Sequence, residues 1–85
     1  YSLSQNYPNP FNPSTEISYG LPKNSFVTLK VYDLTGKLVS TLVSEQKAAG
    51  KYIVEWNVTD FPSGAYFYTI NAGDYSETKR MILVK

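Results

Sequence analysis

Seven carboxylates are the side chains of this 85-residue sequence best suited to proton transfer or to binding a hard cation, because the chain has no histidine and no cysteine. They are Glu16, Asp33, Glu45, Glu55, Asp60, Asp74 and Glu77. The missing residue types exclude Ser-His-Asp and Cys-His nucleophiles and histidine or cysteine zinc sites within the chain. No two carboxylates alternate on one strand, so a glycosidase pair could assemble only across loops. Because most charged side chains of a small domain are solvated, we predict no enzyme activity.

Calcium binding is the second chemistry that the carboxylates could perform. Asp33, Asp60 and Asp74 each fall in a segment with turn composition, and oxygen ligands suffice for this ion. None of them begins an Asp-x-Asp-x-Asp-Gly loop, so solvated turn aspartates are the favoured interpretation. The five glycines are isolated, which leaves no phosphate-binding loop. We therefore predict neither a metal nor a cofactor.

Eight tyrosines and one tryptophan could instead stack on the flat faces of sugar rings. Tyr32 and Tyr75 are the first candidates, because the alternation of the sequence predicts that both point outward. The alternative is that most of the rings build the core, with hydroxyl groups reaching its rim. The rings predicted to point inward are Tyr19, Tyr52, Trp56, Tyr66 and Tyr68.

Charge and length exclude two further classes of function. Eight basic and seven acidic residues give a net charge of +1, whereas nucleic-acid binding needs a clustered basic face. No apolar run exceeds four residues, against the ~20 that span a bilayer. A chain of this length buries a little over ~60% of its unfolded surface, which allows one core but no deep catalytic cleft. Since Tyr1 is not followed by a basic and then apolar leader, we expect a module of a longer protein.

Alternating apolar and polar residues predict the strands that must position these side chains. The pattern is clearest in 26–33, where Val27, Leu29 and Val31 alternate with polar residues. Phe11 is a predicted anchor within a Pro- and Asn-rich loop that cannot be helical. The predicted strands are 2–5, 15–21, 26–33, 37–43, 52–56, 65–71 and 75–85.

Two segments are less regular. In 37–43 we predict that Leu38 and Leu42 point inward. Residues 44–50 contain helix-forming types but are too few for a stable helix, so we predict a loop or a single turn. The last strand begins polar and ends in four apolar residues, which predicts burial on both faces near its end.

Seven short strands with turn residues roughly every eight to twelve positions predict an all-β fold, an immunoglobulin-like antiparallel β-sandwich. The Cys-Trp-Cys hallmark of antibody domains is missing, so this prediction rests on the number and patterning of the strands. Neither a repeat nor a low-complexity linker divides the chain, so we predict a single domain over residues 1–85.

Four segments together resemble one known family. They are LSQNYPNPFNPST (3–15), VYDLTGKLV (31–39), SGAYFY (63–68) and TKRMILVK (78–85). In this order and spacing they strongly resemble the type A C-terminal sorting domain of the type IX secretion system. That family is similar in turn to the immunoglobulin-like domain of the flagellar hook-capping protein.

The resemblance implies a role as an address label. Residues 1–85 would end a larger exported protein of a Bacteroidetes-like bacterium, with the cargo domain on their N-terminal side. After transit through the periplasm, an outer-membrane translocon would read the domain and a sortase-like peptidase would remove it. The cargo would finish at the cell surface or outside the cell.

The resemblance also implies which residues the translocon would recognise. The matching positions are Pro10, Pro13, Asp33, Gly36, Gly64, Tyr66, Lys79 and Lys85. Two departures leave the resemblance intact: the family commonly has valine in place of Ala65, and arginine or glutamine in place of Lys37. Gly36, Gly64 and Tyr66 are equally compatible with a structural role.

A different class of function stays open at this point, namely a carbohydrate- or cargo-docking module attached to a secreted hydrolase. The terminal segment 79–85 separates the two, because a sorting signal needs it and a sugar platform does not. Lysines at both ends of that segment, Lys79 and Lys85, lie at positions that we expect to be exposed.

Overall fold

The computed structural model describes all 85 residues and contains seven strands and no helix, so no helix is available to cross a membrane. The predicted all-β class and the number of strands are confirmed. The strands are β1 (Ser2–Leu3), β2 (Ser14–Leu21), β3 (Ser25–Asp33), β4 (Leu38–Lys47), β5 (Gly50–Asn57), β6 (Gly64–Ala72) and β7 (Tyr75–Leu83).

The strands form two antiparallel sheets. One has three strands in the order β1-β2-β5, and the other has four in the order β4-β3-β6-β7. In the nomenclature of immunoglobulin domains, β1, β2 and β5 correspond to strands A, B and E. The strands of the other sheet, β4, β3, β6 and β7, correspond to C′, C, F and G. A single cluster of 16 buried apolar residues lies between them. The predicted immunoglobulin-like sandwich is therefore confirmed.

Period-two alternation fixes which side chains enter this core. On β3, Val27, Leu29 and Val31 are fully buried, while the residues between them face away from the opposite sheet. β-Branched and aromatic side chains suit such half-buried strands. Tyr68 and Ile70 on β6 pair directly with two of these β3 residues, so one layer of the core is continuous across the strands.

An aromatic cluster fills the end of the core where β5 finishes. The Trp56 ring lies 5.8 Å from each of the rings of Phe11, Phe61 and Tyr66, between ring centroids. Aromatic pairs at such separations stabilise a core beyond the area that they bury. Phe11 is 1% exposed, which confirms it as the anchor of its loop.

Strand β4 is longer than the sequence predicts. Residues 44–50 were expected to form a loop or a single turn, but β4 continues through Lys47 and only residues 48–49 connect it to β5. The prediction is wrong because ladder pairing with β3, as far as Lys47 opposite Ser25, overrides the helical preference of Glu45 and Gln46.

The inward face of β4 also differs from the prediction. Leu42 packs against the core as expected, but Leu38 is 46% exposed and Val39 packs in its place. The physical reason is that the β3–β4 ladder shifts register twice, after Leu29 and after Val31. Each shift places an extra residue on β4 and changes which face the next side chain occupies.

The last strand is shorter than predicted, since β7 ends at Leu83 and not at residue 85. Met81 and Leu83 are buried and Ile82 is half-buried, but Val84 is 48% exposed. Burial on both faces is therefore confirmed only before Val84.

The turn between β3 and β4 is held by the carboxylate of Asp33. Its Oδ1 atom accepts hydrogen bonds from the backbone N–H groups of Thr35 (2.9 Å) and Lys37 (3.0 Å) and from the Thr35 hydroxyl (2.6 Å). These bonds hold the pKa of Asp33 below its ordinary value, and the bond from the Thr35 hydroxyl contributes most. Gly36 has a φ of +90°, which favours glycine at this position.

The aromatic cluster leads to a prediction about stability. Trp56→Ala and Tyr66→Ala should each lower the free energy of unfolding by ~3 to 5 kcal/mol, because each removes a large buried ring. The measurement is the urea midpoint of unfolding. It is monitored by far-UV circular dichroism, because Trp56→Ala removes the only tryptophan and with it the usual fluorescence signal. Tyr7, which is 79% exposed, provides the control, and Tyr7→Ala should change stability by no more than ~0.5 kcal/mol. Unchanged midpoints in both core variants would contradict the burial described above.

Asp33 leads to a prediction about pH. Because its pKa is lowered in the folded state, its contribution to stability is complete above its ordinary value of 3.8 and is lost as the pH falls through the lower folded pKa. Asp33→Asn keeps an oxygen acceptor but removes this titration, so its stability should fall less steeply below pH 3.8. Urea midpoints measured across that range would show the difference. Equal slopes in the two proteins would contradict the assignment.

Candidate functional site

The antiparallel strands bring several distant segments of the sequence to one end of the sandwich. Ser14 pairs with Asn57, Asp33 with Tyr66, and Gly64 with Leu83, so the strand ends adjoining these pairs meet there. We call this the carboxy-terminal end, and it comprises residues 8–14, 33–37, 58–66 and 83–85. Tyr1 lies at the opposite end, where its ring stacks on that of Tyr75 at 5.0 Å.

The loop of residues 4–13, the amino-terminal loop, runs along the end of β7. Phe11 N–H donates to the carbonyl of Ile82 (2.9 Å), and Val84 N–H donates to the carbonyl of Phe11 (3.0 Å). Asn9 Oδ1 accepts from Ile82 N–H (3.0 Å). Pro10 is thus held between two contacts with the last strand, and its ring is exposed.

Pro13 belongs to the same end of the molecule. Its carbonyl accepts a hydrogen bond from Val58 N–H at 3.0 Å, which links the amino-terminal loop to the segment after β5. Pro13 is exposed, and a proline has no backbone N–H to donate. Pro10 and Pro13, the two candidate prolines, are therefore both exposed, and backbone hydrogen bonds of the amino-terminal loop fix their positions.

Asp33 lies beside the loop that precedes β6, and Gly36 belongs to the same turn as Asp33. Asp33, Leu34 and Thr35 form one side of a shallow depression of about 280 Å³, and residues 62–66 form the other. Asp33 is half-buried, and three hydrogen bonds within its own turn occupy one of its carboxylate oxygens. Its role in the turn is structural, and its second oxygen accepts no hydrogen bond from the chain.

Tyr66 and Gly64 shape the other wall of the depression. Tyr66 is 4% exposed, and its hydroxyl donates to the carbonyl of Pro62 at 2.7 Å, as in the tyrosine corner of immunoglobulin-like domains. Burial raises the pKa of Tyr66, so the hydroxyl keeps its proton at neutral pH. Gly64 has a φ of +152°, which a side chain would disfavour. Both residues position the loop, and Tyr66 offers little surface to a partner.

Lys85 is fastened to the loop between β5 and β6. Its ammonium group donates to the carbonyl of Thr59 at 2.6 Å, and its backbone N–H donates to the Ser63 hydroxyl at 3.0 Å. Neither contact follows from the sequence, because Thr59 and Ser63 are distant from Lys85 along the chain. Ser63 begins the SGAYFY segment, but Thr59 belongs to no motif. Lys85 is exposed, as predicted.

Lys79 lies apart from the other candidates. It is half-buried on the inner face of β7, opposite Tyr68, and its ammonium group is 3.1 Å from the Glu77 carboxylate. The expectation of an exposed Lys79 is therefore wrong, because its position shares a face with Met81 and Leu83. Hydrogen bonds from Tyr75 and then from Lys79 lower the pKa of Glu77.

The aromatic pair proposed for sugar stacking is not brought together. Tyr75 was predicted to point outward, but it shares the inner face of β7 with Met81, and its hydroxyl bonds the Glu77 carboxylate. That bond is the main reason that the pKa of Tyr75 rises to about 12. Tyr32 is half-buried on the opposite face of the same sheet. The two rings cannot form one platform.

The carboxylates are also dispersed. Asp33 and Asp60 lie at the carboxy-terminal end, but Asp74 lies in the β6–β7 turn at the other end, so the three cannot share an ion. Glu16 and Glu55 pair directly across β2 and β5, a juxtaposition that no local sequence pattern predicts because it depends on register. Both are exposed on the outer face of the three-stranded sheet, outside any concavity.

Comparison with known proteins agrees with the resemblance seen in the sequence. The family model described as the secretion system C-terminal sorting domain matches residues 5–85, which is nearly the whole chain. No curated protein and no solved structure matches it. The matched region includes all four strands of one sheet, β2 and β5 of the other, and every residue of the carboxy-terminal end. The chain therefore belongs to the secretion system C-terminal sorting domain family, whose members are sorting signals for type IX secretion.

Proposed function

We propose that the type IX secretion machinery reads this domain at its carboxy-terminal end. The observation that carries the proposal is the gathering of seven of the eight candidate residues at that end, although they are spread from residue 10 to residue 85 of the sequence. They are Pro10, Pro13, Asp33, Gly36, Gly64, Tyr66 and Lys85. Pro10, Pro13 and Lys85 are exposed, and Asp33 is half-buried with one carboxylate oxygen that no group of the chain bonds.

The remaining members of this set act by holding the surface in shape. Gly36 and Gly64 permit the two turns, and Tyr66 fastens the loop before β6 through its bond to Pro62. A receptor would thus contact a surface of loops that hydrogen bonds hold in place, and not an extended tail. This division explains why motif residues of both buried and exposed types occur in one signal.

The opposite end of the sandwich suits the attachment of cargo. Tyr1 lies there, and the molecule is 37 Å along its longest axis, so a cargo domain preceding residue 1 would not cover the carboxy-terminal end. In this proposal residues 1–85 form the last domain of a larger exported protein. The translocon then has access to the signal while the cargo is folded.

The later steps of sorting involve two further partners in this proposal. The domain crosses the periplasm, an outer-membrane translocon transfers it, and a sortase-like peptidase separates it from the cargo at the cell surface. No catalytic group of the domain takes part, because its carboxylates are dispersed or exposed and it has no histidine or cysteine. The similarity to the immunoglobulin-like domain of the flagellar hook-capping protein stays a prediction.

We expect residues 1–85 to be a transferable export signal without catalytic activity. Fused behind a periplasmic reporter in a strain that has the secretion pathway, they should bring the reporter to the cell surface or the medium. Cell fractionation with reporter activity measures the outcome. A strain that lacks the translocon provides the control, and there the reporter should stay periplasmic. Retention of the reporter in the competent strain would contradict the proposal.

The two lysines provide a test of where the signal is read. Lys79→Ala plus Lys85→Ala should lower the melting temperature only slightly, because Lys85 is exposed and the half-buried Lys79 makes an ion pair with Glu77 that solvent screens. Export of the fused reporter should fall. Of the two single variants, Lys85→Ala should account for most of the loss of export, since Lys85 lies at the carboxy-terminal end and Lys79 does not.

The matched single variants decide between two locations for the signal. Loss of export with Lys79→Ala and full export with Lys85→Ala would move the recognised surface to the middle of β7. Full export of a stably folded double variant would show that neither charge is read. Melting curves of all three variants separate these outcomes from simple unfolding.

A further inference from the structure

The two sheets have four outer edges, and three of them are unsuited to pairing with another strand. β1 has only two residues, the bulges of β4 interrupt its ladder, and the amino-terminal loop bonds the end of β7. Short strands, bulges and covering loops are the usual protection of sheet edges against association. The remaining edge is β5, which is eight residues long, regular and uncovered.

The backbone of β5 has unused hydrogen-bonding groups on its outer side. Glu16 exchanges both of its backbone hydrogen bonds with Tyr7, at 2.9 Å each, so its N–H and C=O point away from β5. Since these directions alternate along a strand, the odd-numbered residues of β2 bond the even-numbered residues of β5. The N–H and C=O groups of Lys51, Ile53 and Glu55 therefore point outward, and nothing in the chain bonds them.

The side chains of the same three residues share the outer face of β5, and their order is self-complementary. Ile53 is 68% exposed, with a cation two residues before it and an anion two residues after it. If a second β5 runs antiparallel with Ile53 opposite Ile53, then Lys51 lies opposite Glu55 in both halves of the pair. Opposite charges and apolar residues directly across an antiparallel pair stabilise it.

We propose that β5 pairs with β5 of a second copy of this chain around a two-fold axis at Ile53. The two three-stranded sheets then form one continuous sheet of six strands. Ile53 exchanges both backbone hydrogen bonds with its symmetry mate, and Lys51 does so with Glu55 of the other copy. The contact is isologous, so it closes at a dimer and does not propagate.

The inner face of β5 fits the same register. Tyr52 lies opposite Val54 of the second copy, which is a pair of an aromatic and a β-branched residue. Both side chains are half-buried in the single chain, and pairing would cover them further. The carboxy-terminal end does not include residues 50–56, so a dimer of this kind leaves the proposed recognition surface free.

The test compares charge variants of the 85-residue chain by sedimentation equilibrium. The unaltered chain should dimerise with increasing concentration. Lys51→Glu and Glu55→Lys should each raise the dimer dissociation constant about tenfold, because each sets like charges opposite one another twice in the dimer. An equal mixture of the two variants should regain the original affinity as a heterodimer, since lysine then again faces glutamate. Arg80→Glu is the control, because it changes the net charge as Lys51→Glu does but lies on β7, where the Arg80 side chain is exposed. It should leave the dimer dissociation constant unchanged.

A backbone variant tests the hydrogen bonds directly. Ile53→Pro removes an N–H that the single chain does not use, and proline is tolerated on a strand edge that faces solvent. This variant should remain folded by circular dichroism and should lose the dimer. The proposal is overturned if the unaltered chain stays monomeric at its highest soluble concentration. It is also overturned if the mixture of charge variants binds no better than either variant alone.

Discussion

The buried hydroxyl group of Tyr68 connects the beginning of the chain to the centre of the larger sheet. It accepts a hydrogen bond from Asn6 N–H at 2.8 Å and donates one to the carbonyl of Ser4 at 2.7 Å. Desolvation raises its pKa to about 12, so this donor and acceptor pair is kept at every physiological pH. Asn6 in turn donates to the Thr15 hydroxyl, and no buried side-chain polar atom in the chain is left without a partner. The course of the amino-terminal loop, and with it the placement of Pro10 and Phe11, depends on this network.

An unequal number of strands shapes much of the remaining surface. Three strands cannot cover four, so the inner faces of both edge strands of the larger sheet are partly open to water. Each of these strands places a Glu-x-Lys pair there, Glu45 with Lys47 on β4 and Glu77 with Lys79 on β7. Inward charges of this kind discourage the addition of further strands, while the aliphatic stems of the lysines cover apolar neighbours. The ammonium group of Lys47 lies 5.1 Å from the centroid of the Tyr52 ring, a cation–π contact.

The sequence predicts the class of fold and most of the core because alternation is a local property. The inward residues of β3 and the anchor Phe11 follow from it directly. Leu38, the extent of β4 and the orientation of Tyr75 do not, because they depend on bulges and on pairing partners that no local pattern specifies. The candidate residues came from motifs, and their gathering at one end depends on antiparallel register. The contacts of Lys85 with Thr59 and Ser63 could not be predicted for the same reason.

The bonds between Phe11 and the end of β7 make the first and last segments of the domain depend on each other. While the ribosome is still adding residues 75–85, β6 has a bare edge and the core lacks Met81 and Leu83. A polypeptide cut short by a premature stop or by a protease therefore has no completed sandwich. In the proposed position at the end of a longer protein, such a domain would fold completely only after translation of everything before it had finished.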